Sequence, residues 1–424
     1  MKTDVVIVGS GVAGLYSALN LPENKNIIIV TKAKVDESDS FLAQGGICVL
    51  PSEDDYDAYF EDTMRAGHYE NDKRSVEIMI RSSKAVIDDL VKYGARFEKN
   101  GDEFVYTKEG AHSRPRILFH QDETGKEITS HLLEVVKKLP NVTIIEEYTM
   151  VDVIVKDNEA IGIIGHDKDG EFSEIFADYT LLCTGGIGGL YKHSTNFPHL
   201  TGDALAVCLK HGVELKNIDY IQIHPTTLYT KEPGREFLIS ESVRGEGAIL
   251  LNDEGERFVD ELLPRDVVAN AIFKEMEKQG SNHVWLSMSP ISEHEIKTHF
   301  AHIYEHCLEA GYDVTKEPIP VVPSQHYFMG GIKVDEMSKT SMARLYAIGE
   351  TSCNGVHGKN RLASNSLLES LVFAKRAAVD LMNNYSTIEP PKQFSVDYEE
   401  YKNYKEEYKN AVLTAIEKER KNHE

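Results

Sequence analysis

Four short patches of the sequence concentrate cationic and hydrogen-bonding side chains, and two of them also contain glycines. They are Gln222-Ile223-His224-Pro225-Thr226, Pro264-Arg265-Asp266, Gln325-His326-Tyr327-Phe328-Met329-Gly330-Gly331 and His357-Gly358-Lys359-Asn360-Arg361. Arg361 can hold a carboxylate through two parallel hydrogen bonds, and the His224 and His326 rings can donate from a free N–H. Arg265 can donate a proton or polarise a substrate, but it is a poor base because its pKa lies above about 12. The patches therefore predict a site for a dicarboxylate.

Each patch also has a simpler interpretation. A histidine before a proline is commonly a loop or core residue, and Arg265 beside Asp266 is typical of a surface pair worth about 0–1 kcal/mol. The alternation of the patches with glycines around an apparent domain junction favours a ligand site, because ligands bind at such junctions. His299, His302 and His306 have a spacing that could bind a metal, but no Cys or Glu partner stands nearby. We expect a solvated helix face there and no metal site.

Composition excludes several classes of partner. The formal net charge of −23 argues against nucleic acid, so a dianionic substrate must be met by a local cluster of Arg and His. The five cysteines are scattered and form no C-x-x-C, which indicates reduced thiols in the cytoplasm. No apolar run approaches the ~20 residues of a membrane span. The N-terminal apolar stretch is broken by glycines, so it is a first strand and not a signal peptide.

The elements that must position these residues begin at the N-terminus. An apolar run at 4–8 is followed by Gly9-Ser10-Gly11-Val12-Ala13-Gly14 and then by helix formers at 15–21. Gly9 allows a tight turn, Gly11 lets a pyrophosphate approach the backbone, and Gly14 lets helix and strand pack closely. A plain strand–turn–helix with incidental glycines is the alternative.

Two further strands indicate which dinucleotide is bound. Ile27-Ile28-Ile29-Val30 completes a βαβ unit, but Thr31-Lys32 stands where an NAD site would place an acidic residue for the ribose. A later strand ends in Thr184-Gly185-Gly186. These features favour a flavoprotein over an NAD enzyme, with another βα turn as the alternative interpretation.

Hydrophobic periodicity predicts an α/β chain with an insertion. We expect a Rossmann-like FAD-binding domain at 1–220 and 329–389, an inserted α+β capping domain at 221–328, and a helical or frayed segment at 390–424. Helices are predicted at 54–90, 127–138, 203–211, 265–278, 292–310 and 362–382. Strands are predicted at 27–30, 141–145, 151–155, 160–165, 177–186 and 345–350.

From Asp4 to about Leu371 the chain resembles the succinate dehydrogenase/fumarate reductase flavoprotein family. The motifs that carry this resemblance occur in the family's order; besides the opening glycine turn they are Ala43-Gln44-Gly45-Gly46, Thr184-Gly185-Gly186, Thr201-Gly202-Asp203, His224-Pro225-Thr226, Arg244-Gly245-Glu246-Gly247, Pro264-Arg265-Asp266, His326-Tyr327 and Asn360-Arg361-Leu362-Ala363-Ser364-Asn365-Ser366-Leu367-Leu368-Glu369.

Two features indicate the aspartate-oxidising branch of this family. Members that bind FAD covalently carry a histidine four residues before Ala-Gln-Gly-Gly, and here that position is Asp39, so the resemblance implies non-covalent FAD. The segment Glu109-Gly110-Ala111-His112-Ser113 with Arg116-Ile117-Leu118 is similar to the segment of that branch whose glutamate faces a substrate ammonium. The branch usually continues into a C-terminal helical bundle, which is largely absent from this sequence.

The resemblance also implies the residues of the site. FAD would be held by the cofactor set, which is Gly9, Ser10, Gly11, Val12, Ala13, Gly14, Lys32, Asp39, Ser40, Phe41, Leu42, Ala43, Gln44, Gly45, Gly46, Thr149, Met150, Asp203, Glu350, Ser366 and Leu367. The substrate would be held by Gln222, His224, Ser240, His326 and Arg361. Glu109 would orient the amine, and Arg265 would transfer the proton when fumarate is reduced.

The implied reaction is FAD-dependent oxidation of L-aspartate to iminoaspartate, with oxygen giving hydrogen peroxide or fumarate giving succinate. It would be the first step of de novo NAD biosynthesis, and quinolinate synthase would be a partner that receives the unstable product. Two alternatives stay open. One is a soluble fumarate reductase or succinate dehydrogenase flavoprotein subunit, and the other is a flavin-binding protein without catalysis.

Overall fold

The structure, a computed structural model, describes residues 1–231, 234–391 and 393–423. The predicted insert and C-terminal segment include residues outside these ranges, namely Glu232, Pro233, Lys392 and Glu424. Within the described ranges the strands are β1 (Lys2–Val8), β2 (Ile27–Val30), β3 (Ile47–Cys48), β4 (Lys99–Asn100), β5 (Glu103–Phe104), β6 (Ile117–Leu118), β7 (Val142–Ile145), β8 (Thr149–Lys156), β9 (Glu159–His166), β10 (Phe172–Leu182), β11 (Leu215–Lys216), β12 (Ile221–Leu228), β13 (Ile249–Leu251), β14 (Val284–Ser287), β15 (Ile319–Phe328), β16 (Gly331–Lys333), β17 (Leu345–Ala347) and β18 (Ser352–Cys353).

The helices over the same ranges are α1 (Val12–Leu19), α2 (Asp39–Leu42), α3 (Tyr56–Ala66), α4 (Lys73–Lys92), α5 (Thr124–Val136), α6 (Asp203–Lys210), α7 (Glu241–Gly245), α8 (Arg265–Gln279), α9 (Glu293–His299), α10 (Ala301–Glu309), α11 (Asn365–Asn383) and α12 (Tyr404–His423). None of these helices is long and apolar enough to cross a membrane.

The main sheet runs in the order β7-β2-β1-β10-β9-β8, with β17 also paired to β10. The β7, β2, β1, β10 and β17 strands are parallel, whereas β8 and β9 form the predicted antiparallel meander. Val5 and Ile7 enter the core on one face of β1, and Val6 and Val8 enter the core on the other. Burial on both faces is what a parallel sheet covered by helices requires. The predicted Rossmann-like fold is confirmed.

A second, antiparallel sheet is inserted between β11 and β16. Its strands run in the order β12-β15-β14-β13. A separate hydrophobic core joins this sheet to α8, α9 and α10, and it includes Val268, Ile272, Phe300 and Ile303. The insert therefore has the α+β character that the sequence predicts.

The predicted helix at 54–90 is two helices, α3 and α4, separated by residues 67–72. Asp72 caps α4 by accepting a hydrogen bond from the Ser75 N–H at 2.9 Å. The intervening segment pairs with a distant loop: the Asp72 N–H donates to Gly355 O, and the Lys359 N–H donates to Gly67 O. The apolar period continues across the break, but these tertiary hydrogen bonds determine where the helices end.

The predicted helix at 292–310 is also divided, into α9 and α10, at the buried residue Phe300. The Asp122 carboxylate, from the loop before α5, accepts hydrogen bonds from the backbone N–H groups of His302 and Ile303. A cap supplied from the other domain therefore begins α10. No local sequence signal could have predicted it.

The C-terminal segment contains a helix, α12, which corresponds to the helical alternative of the prediction. Tyr404, Tyr408, Val412 and Ile416 of α12 enter the same core as α6. This face holds α12 against the side of the molecule that carries Asp203, the first residue of α6.

Candidate active site

A cavity of about 650 Å³ lies between the main sheet and the insert. Its walls include the segments that follow the carboxyl ends of three parallel strands: 9–13 after β1, 31–32 after β2 and 183–185 after β10. Open α/β sheets bind ligands at this edge, and the volume falls in the range of ligand sites. The sheet therefore places the glycine turns of the sequence around one cavity.

The opening glycine turn has the geometry that its residues predict. Gly9 has φ +118°, and a Cβ on Gly14 would lie 2.0 Å from the Gly9 carbonyl oxygen. Gly11, the residue before α1, provides no side-chain cap, and the Val12 N–H donates to Ser40 Oγ. The next N–H groups of the first turn point toward the cavity end of the helix. Gly14 itself does not line the cavity, because it packs beneath Gly9.

Lys32 and Asp203 meet at one end of the cavity. The Lys32 ammonium donates to the Asp203 carboxylate at 2.6 Å, to Thr201 Oγ1 at 3.0 Å and to the His199 carbonyl at 2.9 Å. Thr149 and Met150, the first residues of β8, line the same cavity. The structure thus brings together four predicted cofactor residues from three distant parts of the chain.

The segment at 39–46 carries buried polar atoms that have no partner among the described residues. They are the Asp39 Oδ2 and Gln44 Oε1 atoms, together with the neighbouring Ser38 Oγ. Asp39 Oδ1 accepts from the Phe197 N–H at 3.0 Å, and burial raises the pKa of Asp39 to about 7. Ser40 Oγ accepts from the Val12 N–H at 3.1 Å. Unpaired buried polar atoms on a cavity wall indicate a polar ligand.

Arg265 is the first residue of α8 and is held on two sides. Its Nε donates to the Glu241 carboxylate, and its Nη1 donates to Gln222 Oε1 at 2.9 Å. Gln222 Nε2 in turn donates to Asn360 Oδ1 and to the Arg361 carbonyl, each at 2.8 Å. Gln222 does not line the cavity. It lies behind the two arginines and fixes their positions.

Arg361 is buried, and part of its guanidinium forms no hydrogen bond with the described residues. Its guanidinium lies 4.4 Å from the centroid of the Tyr327 ring, and its Nη1 donates to Ser366 Oγ at 2.9 Å. Its Nε has no partner among the described residues. Burial and the nearby Arg265 lower the pKa of Arg361 to about 10. A buried guanidinium with a free N–H on a cavity wall suits a ligand carboxylate.

The two predicted histidines face each other with ring centroids 5.1 Å apart. His224 Nδ1 lies 3.1 Å from the Thr226 N–H, which can donate to it, and 3.1 Å from the Thr226 carbonyl oxygen, which already accepts from the Ile239 N–H. We therefore assign Nδ1 as the acceptor, so that His224 Nε2, unpartnered among the described residues, carries the proton. Burial and Arg265 lower the pKa of both histidines well below its usual range, so both rings are neutral.

Glu109 is a buried carboxylate on the wall of the same cavity. Its Oε1 accepts from Ser242 Oγ at 2.9 Å, and its Oε2 accepts from Ser364 Oγ at 2.6 Å. Burial and the neighbouring Glu241 raise the pKa of Glu109, while the two hydroxyls and Arg265 oppose this shift. Gly45 is in close contact, because a Cβ there would lie 2.2 Å from Glu109 Oε1.

A buried ion-pair network holds the segment that carries Glu109. The fully buried Arg116 donates from Nε to Asp55 and from Nη1 to Asp62, both at 2.8 Å. Its Nη1 also lies 2.9 Å from His112 Nδ1, three residues beyond Glu109. Paired buried charges of this kind are costly to separate, so the network fixes the Glu109 backbone relative to α3.

All predicted site residues except Gly14 and Gln222 line the one cavity. Sequence reasoning missed others that contact them, above all Glu241, Ser242 and Ser364. The cluster Ser240-Glu241-Ser242 with Arg244 is itself dense in hydrogen-bonding groups, and this density is a signal that could have located it. The prediction that His299, His302 and His306 form a solvated helix face is wrong in part, because the His306 ring stacks on the Phe237 ring with their centroids 3.6 Å apart. Among the described residues, these three histidines form no group that could share a metal ion.

A parallel sheet with a glycine turn after its first strand, and an insert that closes a cofactor-sized cavity, define a dinucleotide-binding protein of the flavoprotein class. A family model described as an FAD binding domain matches residues 4–367. The L-aspartate oxidase of Clostridium perfringens is 53% identical over 90% of this chain and 87% of its own length. That of Clostridium acetobutylicum is 51% identical over 92% of this chain and 90% of its own length.

Solved structures of a fumarate reductase and of Sdh1 share the fold. A quinol-fumarate reductase structure with menaquinol superposes with a TM-score of 0.85 at 28% identity, over all of this chain and 76% of that one. Mycobacterium smegmatis Sdh1 in complex with UQ1 superposes with a TM-score of 0.76 at 32% identity, over 91% of this chain and 69% of that one. The chain belongs to the L-aspartate oxidase family of FAD-binding proteins, and FAD is its cofactor.

The residues present fit FAD. The open N-terminus of α1 can receive a diphosphate, and the unpaired oxygens of Asp39 and Gln44 can meet polar atoms of the cofactor. The predicted cofactor residues other than Gly14 are distributed along this one cavity.

Proposed function

We propose that the protein oxidises L-aspartate to iminoaspartate, the first step of de novo NAD biosynthesis. The observation that carries this proposal is Glu109, a carboxyl side chain on the wall of a cavity whose other ionisable groups include Arg265 and Arg361. Two carboxylates need cations, and an ammonium needs an anion. A substrate with both kinds of group matches the cavity, and the names of the most similar relatives support this choice.

We assign each residue one role. Arg361 holds one substrate carboxylate, and the neutral His224 and His326 donate hydrogen bonds to the carboxylate oxygens. Glu109 accepts from the ammonium and so orients the α-carbon. Bound FAD supplies the two-electron acceptor. Arg265, steadied by Glu241, transfers the proton when fumarate is the substrate that is reduced.

The electron acceptors and the partner follow from this proposal. Oxygen would be reduced to hydrogen peroxide, and fumarate would be reduced to succinate. Iminoaspartate is unstable in water, so we propose quinolinate synthase as the protein that receives it. All five cysteines are free thiols and buried, which supports a reducing compartment such as the cytoplasm.

We also propose that FAD is bound non-covalently. Asp39, a carboxyl group, stands where covalently flavinylated members of the superfamily carry a histidine. The yellow protein should therefore release all its FAD on acid precipitation. Flavin that remains with the precipitated protein would contradict this.

The activity is tested by anaerobic titration of the flavin spectrum. L-Aspartate should bleach the flavin and succinate should not, and bleaching by succinate alone would overturn the proposal. Glu109→Gln should cripple bleaching by aspartate, because the ammonium loses a charged acceptor, while fumarate reduction with an artificial donor stays largely intact. Equal loss of both activities would show that Glu109 does not recognise the ammonium.

The second candidate is a soluble fumarate reductase or succinate dehydrogenase flavoprotein subunit. The set of Arg265, Arg361, His224 and His326 supports it, because these residues would bind succinate as well as aspartate. The same titration separates the two functions, since only the second predicts reduction by succinate. FAD that binds tightly and is bleached by neither ligand would instead indicate a flavin-binding protein without catalysis.

A further inference from the structure

Three side chains form a continuous hydrogen-bonded chain on the cavity wall. Ser242 Oγ lies 2.9 Å from Glu109 Oε1 and 3.0 Å from Ser240 Oγ. Ser240 Oγ also accepts from the Ser242 N–H at 3.2 Å, because Ser240 caps the short helix α7. Both serines are buried, and Ser240 and Glu109 line the cavity.

The number of protons determines the direction of every bond in this chain. An ionised carboxylate can only accept hydrogen bonds, and each serine hydroxyl has one proton to donate. The Ser242 proton is therefore committed to Glu109. The contact between the two hydroxyls must then be donated by Ser240.

This direction decides what Ser240 can offer a ligand. Its proton is used by Ser242 and one lone pair is used by the Ser242 N–H, so one lone pair is left for the cavity. A ligand ammonium can donate to that lone pair. A ligand carboxylate can accept from Ser240 only if the Ser240 proton turns away from Ser242, and this costs the hydrogen bond between the hydroxyls.

We propose that Ser242 is a positioning residue that makes Ser240 an acceptor for the substrate ammonium and thereby gives the site its preference for amino dicarboxylates. The proposal rests on the proposed function, in which Glu109 recognises the ammonium. Ser242 acts through its two neighbours and does not itself line the cavity. It extends the ammonium site from one residue to two, Glu109 and Ser240.

The test uses two ligands that do not reduce the flavin in the proposed reaction. Succinate has no ammonium, and 2-methyl-L-aspartate has the ammonium but no α-hydrogen. Their dissociation constants are measured on the FAD-loaded enzyme from the shift of the flavin spectrum, and the selectivity is the succinate constant divided by the 2-methyl-L-aspartate constant. Ser242→Ala should lower this selectivity about tenfold, the worth of one hydrogen bond to a charged group. Binding of succinate should become tighter, because the Ser240 proton is released.

Three further variants separate this effect from general damage. Ser364→Ala removes the other hydroxyl from Glu109 but keeps the contact between Ser240 and Ser242, so it should not tighten succinate binding as Ser242→Ala does. Ser242→Thr keeps the hydroxyl and should restore the wild-type selectivity. Ser292→Ala removes the serine cap of α9 in the same domain, away from the cavity, and should change neither constant.

The effect of Ser242→Ala on succinate should also disappear in a Glu109→Gln background, where no anion directs the Ser242 proton. Unchanged selectivity in Ser242→Ala, or an equal loss of affinity for both ligands, would overturn the proposal. Failure of the proposed function looks different. In that case the wild-type protein itself would not prefer 2-methyl-L-aspartate to succinate and would not be bleached by L-aspartate.

Discussion

Glu369 is a buried carboxyl group that forms no ion pair with any residue that the structure describes. Asn354 Nδ2 donates to its Oε1, and Ser370 Oγ donates to its Oε2 at 3.3 Å. Burial raises the pKa of Glu369 to about 7, and it raises the pKa of Glu350, on the cavity wall, to about 8. Desolvation outweighs two neutral donors, as expected for a carboxylate without a charged partner.

These raised values predict how stability depends on pH. Between about pH 4.5 and 7 the folded protein holds a proton on Glu369 that the unfolded chain has lost, so the free energy of unfolding falls as the pH rises. Glu369→Gln removes this contribution to the pH dependence of the free energy of unfolding. Between pH 4.5 and 8, the loss of unfolding free energy should be about 2–3 kcal/mol smaller in the variant than in the wild type, measured by urea unfolding of the FAD-free protein. The exposed Glu23→Gln is the control, and equal pH dependence of Glu369→Gln and wild type would contradict the prediction.

Residue types predicted most of the charged part of the site. Arg265, Arg361, His224 and His326 could be chosen because they stand in short patches of cationic and hydrogen-bonding residues, and all four line the cavity. The role of Gln222 could not be predicted. Its position behind the arginines depends on hydrogen bonds to Asn360 and Arg361, which lie more than a hundred residues away.

The first strand–turn–helix provides a prediction at the scale of an element. A Cβ at Gly14 would lie 2.0 Å from a backbone oxygen that cannot move away, whereas a Cβ at Gly11 would lie 3.0 Å from the Ser40 hydroxyl, which can rotate. Gly14→Ala should therefore lower the thermal midpoint of the FAD-free protein strongly. Gly11→Ala should leave that midpoint within a few degrees of wild type and weaken FAD about tenfold or more, because the new methyl group obstructs the approach of the diphosphate. Flavin fluorescence quenching measures the affinity for FAD. A larger loss of thermal midpoint in Gly11→Ala than in Gly14→Ala would contradict the prediction.

The cap that Asp122 provides to α10 is the second prediction at this scale. Asp122→Ala leaves the N–H groups of His302 and Ile303 unpaired and should cost about 1 kcal/mol of unfolding free energy. Asp122→Asn keeps an oxygen acceptor and should lose less unfolding free energy than Asp122→Ala. Because this cap joins the insert to the other domain, Asp122→Ala should also speed proteolysis of the insert, which Ser292→Ala, a cap within the insert, should not do. Equal proteolysis rates for these two alanine variants would rule out the joining role.

The ends of the strands and helices show which element boundaries hydrophobic periodicity can predict and which it cannot. The apolar runs predict both ends of β2, place the start of β7 one residue early and place the start of β1 two residues late. Helix α11 begins at Asn365 and not at the predicted Leu362, because Ser364 has φ +61° while it donates to Glu109. A non-glycine residue in that region needs support from its surroundings, and here the support comes from the site itself.

At the scale of the molecule, one cavity collects residues from 9–46, 109, 149–150, 203, 224–265 and 326–367. The sequence predicted this assembly only in outline. The glycine turn indicates which edge of the main sheet binds the ligand, and the insertion indicates which part of the chain closes the cavity. The pairing of Glu109 with Ser242 needed the two domains to be brought together, and its pairing with Ser364 joins the two sequence segments of the FAD-binding domain. Neither pairing could be derived from spacing within one segment.

The acidic charge of the whole protein gives the last prediction. Within the cavity, Arg265 is paired with Glu241, and Glu109 adds a further anion, so the field that an approaching dicarboxylate meets at long range is that of a chain with a net charge of −23. Raising the ionic strength from 0.01 to 0.15 M shortens the screening length from about 30 to about 8 Å. The association rate of succinate, measured by stopped-flow flavin absorbance, should therefore rise about threefold. 2-Methyl-L-aspartate carries a net charge of only −1 and should show a smaller rise, which makes it the matched control. Rates that fall with salt would mean that the arginines of the cavity, and not the surface, dominate the field along the approach.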